Sequence, residues 1–234
     1  MNGTILKLGD ISVAVTRKNI KNVHLSVHPP MGEVRVSAPS RMKLDTIRVY
    51  TISKLDWIKG EQRKLRAQKR ETPREYLDRE SHYLWGRRYL LEVVKKEARP
   101  KVTLKHSAIC LHVRPRADAE KRREVLDAWY RQKLKDRLPK LIAKWETALD
   151  VTVDGVFVQK MRTKWGSCNT AKATIRLNTE LAKKRPAFLD YVVLHEMAHL
   201  LIRPHNDDFR ALLDLHMPNW QQVRKALNDA PISE

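Results

Sequence analysis

The sequence has very few cysteines: Cys110 and Cys168 are the only two among 234 residues. Two thiols are too few for the disulfide network that stabilises small secreted domains, so this class of protein is excluded and a reducing compartment fits. A single cysteine in a Gly-Ser-Cys segment is more often packed than reactive. We therefore expect a structural role for Cys168.

Long hydrophobic runs are also missing. No segment approaches the roughly 18 uninterrupted apolar residues that a membrane-spanning helix needs, and the first residues lack the basic start and apolar stretch of a signal peptide. We therefore expect a cytoplasmic protein without a membrane partner. The hydrophobic content of 42% is sufficient for one compact core or two small ones.

Acidic residues are few compared with basic ones. The sequence has 27 Asp and Glu against 47 Lys and Arg, which gives a formal net charge of +20. Residues 1–149 hold 35 basic and 17 acidic residues, a balance of +18, whereas residues 150–234 hold 12 and 10, a balance of +2. Basic clusters at 59–70, 87–88 and 121–123 could bind a polyanion. Because charged helix faces are commonly just solvated and no base-reading motif is present, nucleic acid is only a possible partner of residues 1–149.

The most informative stretch that is present runs from His195 through Glu196 to His199. Histidines at positions i and i+4 of a helix lie about 40° apart around its axis, so both imidazoles can bind one metal ion. Glu196 points beside this pair, where it is better placed to take a proton from a metal-activated water than to bind the metal. The pattern predicts a catalytic zinc site with Glu196 as general base.

A catalytic zinc ion usually has three protein ligands and one open position. His205 is the leading candidate for the third ligand, provided that the helix ends before it, because a continuous helix would carry it to another face. Pro204 disfavours helical geometry at Arg203 and lets the chain turn back. If the chain turns differently, the replacements are Asp207, Asp208, Asp214 and His216.

Hydrophobic periodicity predicts an α+β protein. Alternating apolar residues between 4 and 36 indicate a small antiparallel sheet, and helical spacing follows from Leu44 to Ile58 with a basic continuation to Arg70. More sheet is expected over 83–111. We expect these elements to form a β-rich amino-terminal unit with a basic helix at residues 1–116.

The remaining residues, 117–234, are expected to form a zincin-like catalytic domain. Apolar spacing predicts a long helix from Glu120 to Leu149 that packs beside the metal-binding helix, followed by strands at 151–161 and 173–178. Trp165, Gly166 and Ser167 connect these strands and are candidates for substrate binding, because peptidases of this type often add the substrate as a strand at a sheet edge. Equally, Trp165 could fill the core while Gly166 and Ser167 only turn the chain.

Two parts of this sequence carry a family resemblance. Residues 191–200, with His205, Phe209 and the Pro-Asn-Trp triplet at 218–220, resemble the YgjP-like family of small metallopeptidases. Residues 164–168 resemble that family's Trp-Gly-Ser-Cys segment. Looser matches at 34–39, 57–58 and 84–89 extend the likeness over nearly the whole chain.

The resemblance implies that His195, His199 and His205 bind zinc and that Glu196 is the catalytic acid/base. It also implies a peptide or protein substrate. SprT-like proteases, which act on DNA-associated proteins, are distant relatives and imply no particular substrate. The metzincin label does not fit, because metzincins have a glycine where this chain has Ile202.

The chain departs from the family pattern after His205. Arg210 stands where an aromatic residue commonly follows Phe209, and Asn206, Asp207 and Asp208 make the turn unusually acidic. We expect the metal site to survive both changes.

The sequence thus predicts a zinc-dependent peptidase. Two alternatives stay open, a nucleic-acid-associated protease localised by its basic half and a non-enzymatic binding module with a structural zinc. The residue that stabilises the oxyanion is not identified, although His216 is one possibility.

Overall fold

A computed structural model describes residues 4–28, 32–67, 74–161 and 163–230. The chain divides into two compact units, Met1–Glu71 and Thr72–Ser233, and each has its own buried apolar cluster. This division differs from the predicted boundary between residues 116 and 117, because the strands before that point share a core with the helix after it. None of the described helices combines the length and the apolar character needed to cross a membrane.

The first unit contains a four-stranded sheet in the order β1-β2-β4-β3. The β2–β4 pair is parallel and the other two pairs are antiparallel, so the sheet is mixed rather than wholly antiparallel as the sequence suggested. The reason is that β4 forms a hairpin with β3 and inserts between β3 and β2. The strands are β1 (Thr4–Leu8), β2 (Ile11–Lys18), β3 (His24–His28) and β4 (Glu33–Pro39).

Two helices complete the first unit, α1 (Leu44–Ile52) and α2 (Leu55–Ala67). Alternate residues of β2 are buried, as the period of a strand requires, and Ile47 and Ile58 from the helices join them in one cluster. The helical spacing read from Leu44 to Ile58 is therefore present as two helices. The end of the basic run, residues 68–70, lies outside the described residues.

The second unit begins with a sheet in the order β5-β6-β8-β7. The buried face of this sheet packs against the long helix α3 (Ala119–Leu149). Tyr130 and Trp145 are among the residues that α3 buries. Asp118 caps α3 by accepting a hydrogen bond from the Lys121 amide at 2.8 Å. The strands are β5 (Ser81–Leu84), β6 (Arg87–Lys95), β7 (Lys101–Leu104) and β8 (Ala108–Val113).

A second, three-stranded sheet in this unit has the order β10-β11-β9, so β10 is an edge strand. β10 is antiparallel to β11, and β9 is parallel to it. The sequence placed residues 165–168 in a simple connection, whereas Gly166–Asn169 is a strand in its own right. The elements are β9 (Gly155–Gln159), β10 (Gly166–Asn169), β11 (Thr174–Asn178), α4 (Pro186–Ala198), α5 (Asp207–His216) and α6 (Trp220–Asp229).

The long helix α3 lies beside α4, as the sequence predicted. Trp145 Nε1–H donates a hydrogen bond of 2.7 Å to Asp190 Oδ1, and the Lys144 ammonium lies 3.0 Å from Asp190 Oδ2. A half-buried carboxylate is thus satisfied by two donors from one neighbouring helix. These contacts fix α4, which carries the histidine motif, against α3.

The tight turn between β5 and β6 supports the segment that leads into α4. Trp85 and Gly86 have φ values of 53° and 79°, the combination that a two-residue hairpin turn requires. Their amides donate hydrogen bonds to the carbonyls of Ala182 at 2.8 Å and Lys183 at 3.2 Å. A Cβ atom on Gly86 would lie 2.8 Å from Cγ of Arg185, the residue that precedes α4.

Gly86→Ala should therefore destabilise the second unit by about 2–4 kcal/mol, because a positive φ and a steric clash act together. Gly9→Ala is the matched control, since Gly9 has a φ of 61° but a Cβ there meets no atom within 4 Å. We expect a loss of only about 1 kcal/mol in the first unit. Hydrogen exchange followed by mass spectrometry measures each unit separately. Equal losses in the two variants would contradict the role given to the Arg185 contact.

Candidate metal centre

Helix α4 presents His195 and Glu196 in its last turn and ends at Ala198, with His199 as its C-cap residue. Pro186 begins the helix, where its fixed φ is favourable and its missing amide hydrogen costs nothing. The helix ends in tighter turns, since the amides of Leu200 and Leu201 donate three residues back, to the carbonyls of Met197 at 2.9 Å and Ala198 at 3.1 Å. The predicted end of the helix before His205 is confirmed, and it comes several residues ahead of Pro204.

The three predicted histidines, His195, His199 and His205, come together. One ring nitrogen from each lies within 4.8 Å of the other two, and Nε2 of His195 is 3.1 Å from Nε2 of His205. Tetrahedral zinc with Zn–N bonds of about 2.0–2.1 Å would separate its ligand nitrogens by about 3.3–3.4 Å. The donor set and its spacing therefore fit a zinc-sized ion.

The alternative third ligands each have another role. Asp207 forms an ion pair with Arg210 at 3.0 Å, and Asp208 accepts a hydrogen bond from Asn206 at 3.2 Å. Asp214 accepts from Trp220 Nε1 at 2.7 Å, and the His216 ring packs edge-on against Trp145 at 6.2 Å. Neither Asp214 nor His216 lines the cleft beside the three histidines.

Phe209 forms a common base for the three histidine rings. Its side chain is buried, and its ring centroid lies 5.1 Å from that of His195, 4.7 Å from His199 and 4.9 Å from His205. Asn206 caps α5 by accepting a hydrogen bond from the Phe209 amide at 3.0 Å. The acidic residues that depart from the family pattern occupy the first turn of this helix, where negative charge is favourable.

Hydrogen bonds and burial prepare the histidines to bind a cation. Nδ1 of His199 lies 3.1 Å from the Ile202 carbonyl, so this nitrogen carries the proton and donates, which leaves Nε2 with a lone pair. The Tyr191 hydroxyl lies 3.5 Å from Nδ1 of His195. Burial, together with His199 and His205, lowers the pKa of His195 to about 3. The His195 ring is therefore neutral at pH 7, as a metal ligand must be.

Glu196 is buried directly under the edge strand β10. A Cβ atom on Gly166 would lie only 2.7 Å from both Cγ and Oε1 of Glu196, so a side chain at position 166 has no room. Burial raises the pKa of the Glu196 carboxyl to about 7, and the nearby Lys164 ammonium acts in the opposite direction. A carboxyl group with a pKa near neutrality is well matched to proton transfer at physiological pH.

A cleft of about 470 Å³ joins the histidines, Glu196 and β10. Of the predicted substrate-binding residues, Gly166 and Ser167 line this cleft, whereas the half-buried Trp165 packs against the apolar core. Burial and Glu196 both raise the pKa of the Cys168 thiol, which disfavours the reactive thiolate. The lining residues are Lys164, Gly166, Ser167, Cys168, Thr170, His195, Glu196, His199, Arg203 and His205.

Sequence reasoning did not single out Lys164, Thr170 and Arg203 as parts of the site. All three stand within three residues of a predicted site residue, which was the available signal. It is weak in a chain this rich in basic residues. The role of Phe209 as a base for the rings was also missed, because it depends on the irregular turn between α4 and α5, which leaves no spacing pattern.

Comparisons with known proteins complete the description. The chain matches none of the curated proteins. The crystal structure of the metallopeptidase zymogen abylysin from Pyrococcus abyssi is similar over 38% of this chain and 90% of its own, with 16% identity and a TM-score of 0.36. The zymogen of jannalysin from Methanocaldococcus jannaschii is similar over 38% and 91%, with 19% identity and a TM-score of 0.35.

The family assignment does not depend on these two likenesses. The model of the YgjP-like metallopeptidase domain matches residues 21–230, which is nearly the whole chain and includes all three histidines and Glu196. A metallopeptidase hydrolyses peptide bonds with the help of a bound metal ion. The chain therefore belongs to the YgjP-like metallopeptidase family and is a metal-dependent peptidase.

Proposed function

We propose that the protein is a zinc-dependent peptidase in which His195, His199 and His205 hold the metal ion and Glu196 is the general base. The observation that carries this proposal is the convergence of three histidine nitrogens within 4.8 Å beside a buried carboxyl group. Within the described ranges, no fourth metal-binding side chain joins the group. Three protein ligands are typical of catalytic zinc, whereas structural zinc usually has four.

The chain's own residues account for most of the proposed mechanism. When bound, zinc would supply Lewis-acid chemistry, which acidifies a water molecule and polarises the scissile carbonyl. Glu196 takes the proton of the nucleophilic water and transfers it to the leaving amine, and its pKa near 7 suits both steps. Gly166 allows β10 to approach the carboxyl group closely and so limits its movement.

The free edge of β10 supports a role in substrate binding. β10 pairs with β11 on one side only, and Gly166 and Ser167 line the cleft. A peptide that adds to this edge as a strand would be held by backbone hydrogen bonds, which accept many sequences. We assign substrate binding to Gly166 and Ser167, with Trp165 anchoring the start of the strand in the core.

A nucleic-acid-associated version of this function is the second candidate. Lys59, Arg63 and Arg66 are exposed at positions i, i+4 and i+7 of α2, so they lie on one face of the helix. None of the three forms an ion pair within the described part of the chain. Their charge is available for phosphate groups, which would place the peptidase near nucleic-acid-bound proteins.

Glu196→Gln should abolish peptide cleavage while zinc stays bound, because the amide cannot accept the water proton. We expect a loss of at least about 100-fold, measured by mass spectrometry on a diverse peptide library with zinc-loaded protein. Glu97→Gln, an exposed carboxylate outside the cleft, is the control. Parallel reactions with duplex and single-stranded DNA test the second candidate, which predicts salt-sensitive stimulation. Full cleavage by Glu196→Gln would rule out the general-base assignment.

His205→Ala should weaken zinc binding strongly, because it removes a direct metal ligand. Loss of a residue that only hydrogen-bonds a ligand weakens metal binding by roughly 10–100-fold, and we expect a larger loss here. The control is His216→Ala, which removes a histidine of the same region that packs on Trp145 and does not line the cleft. Competition with a fluorescent zinc chelator measures both affinities. If zinc affinity survived in His205→Ala and fell in His216→Ala, the third ligand would be His216.

Gly166→Ala should reduce kcat by about 10–100-fold without loss of zinc, because the new Cβ atom would displace Glu196. Gly60→Ala in α2 is the matched control, since a Cβ there meets no atom within 4 Å. Steady-state kinetics and zinc content are measured on both variants. Unchanged kcat in Gly166→Ala would mean that Glu196 does not need its present position.

A further inference from the structure

Two basic side chains line the cleft and form no ion pair with a carboxylate of the described residues. Lys164 precedes the edge strand β10, and Arg203 lies between His199 and His205. Both side chains are exposed, and neither forms an ion pair or side-chain hydrogen bond with any residue that the structure describes. Among the residues that the structure describes, Glu196 is the only acidic one that lines the cleft, and the proposed reaction uses it.

Asp207, Asp208 and Asp214 neither line the cleft nor form an ion pair with either cation. Asp207 is paired with Arg210, and Asp208 accepts a hydrogen bond from Asn206. Asp214 is bonded to the Trp220 indole. The walls of the cleft therefore carry unpaired positive charge, which attracts an anionic group on the substrate.

The direction of β10 places Lys164 relative to the scissile bond. A substrate strand antiparallel to β10 would run from Asn169 towards Gly166, and antiparallel pairing is the more stable arrangement. Gly166 touches Glu196, so the reacting bond belongs near Gly166. Lys164 lies two residues before Gly166, on the side where the carboxyl-terminal part of the substrate continues.

We propose that Lys164 and Arg203 select peptides with a carboxylate on the carboxyl-terminal side of the scissile bond. The carboxylate is either an acidic side chain or the free carboxyl terminus of the substrate. An exposed ion pair is worth little, but the fields of two cations that line one cleft add, which is enough for a preference of about fivefold. This inference rests on the proposed peptidase function.

The test uses one cleavable peptide in matched forms, with Glu or Gln placed before or after the scissile bond and with a free or amidated carboxyl terminus. We expect kcat/KM to be about fivefold higher with Glu after the bond than with Gln. In Lys164→Gln/Arg203→Gln this ratio should fall below about twofold. Lys172→Gln, an exposed cation outside the cleft, should keep the wild-type ratio. A preference of about fivefold for the free over the amidated carboxyl terminus, with no difference between Glu and Gln, identifies the terminal carboxylate as its source.

A binding measurement separates failure of this inference from failure of the proposed function. Fluorescence anisotropy with zinc-loaded Glu196→Gln gives the affinity for each peptide without cleavage, and Lys164→Gln/Arg203→Gln is added to that background. Tighter binding of the peptides with Glu after the bond, lost in the added variant, supports the selection even if no peptide is cleaved. Cleavage or binding that prefers neither Glu after the bond nor a free carboxyl terminus overturns the selection and leaves the peptidase function intact.

Discussion

The close approach of the edge strand β10 to helix α4 at Gly166 and Glu196 is the contact on which the site depends. A backbone segment without a side chain lies against the carboxyl group, so the edge strand β10 and the buried Glu196 side chain line one cleft. If β10 and α4 were farther apart by the width of one methyl group, water would reach the Glu196 carboxyl group. Its pKa would then return towards that of an ordinary glutamate.

This contact requires that α4 be held firmly from its other sides. Asp190 accepts hydrogen bonds from Lys144 and Trp145 of α3, and the Tyr191 ring stacks on Trp220 of α6 at 6.3 Å. The turn at Gly86 supports the residues that lead into the helix. Neither Asp190 nor Tyr191 lines the cleft, so the last turn of α4 is left to present the histidines and Glu196.

Local patterns in the sequence predicted the parts of this arrangement that depend on neighbouring residues. The spacing of His195 and His199, the helix end before His205 and the buried face of α3 follow from helix geometry alone. The parallel β2–β4 pair, the base that Phe209 forms under the rings and the entry of Lys164 and Arg203 into the cleft do not. The strand pair and the approach of Lys164 to Glu196 join segments more than 20 residues apart, and the positions of Phe209 and Arg203 depend on the irregular turn between α4 and α5, so neither leaves a short-range period.

Burial shifts the pKa values of the adjacent residues His195 and Glu196 in opposite directions, and each shift suits the protonation state that the site needs. It lowers the pKa of His195 to about 3, which keeps the ring neutral with a lone pair for a cation. It raises the pKa of Glu196 to about 7, so the carboxyl group can lose and regain a proton near neutral pH. Lys164 opposes the second shift, because its positive charge favours the carboxylate. Lys164 thus has two effects. It favours the ionised form of the Glu196 carboxyl group, and it adds positive charge to the cleft in which we propose that the substrate binds.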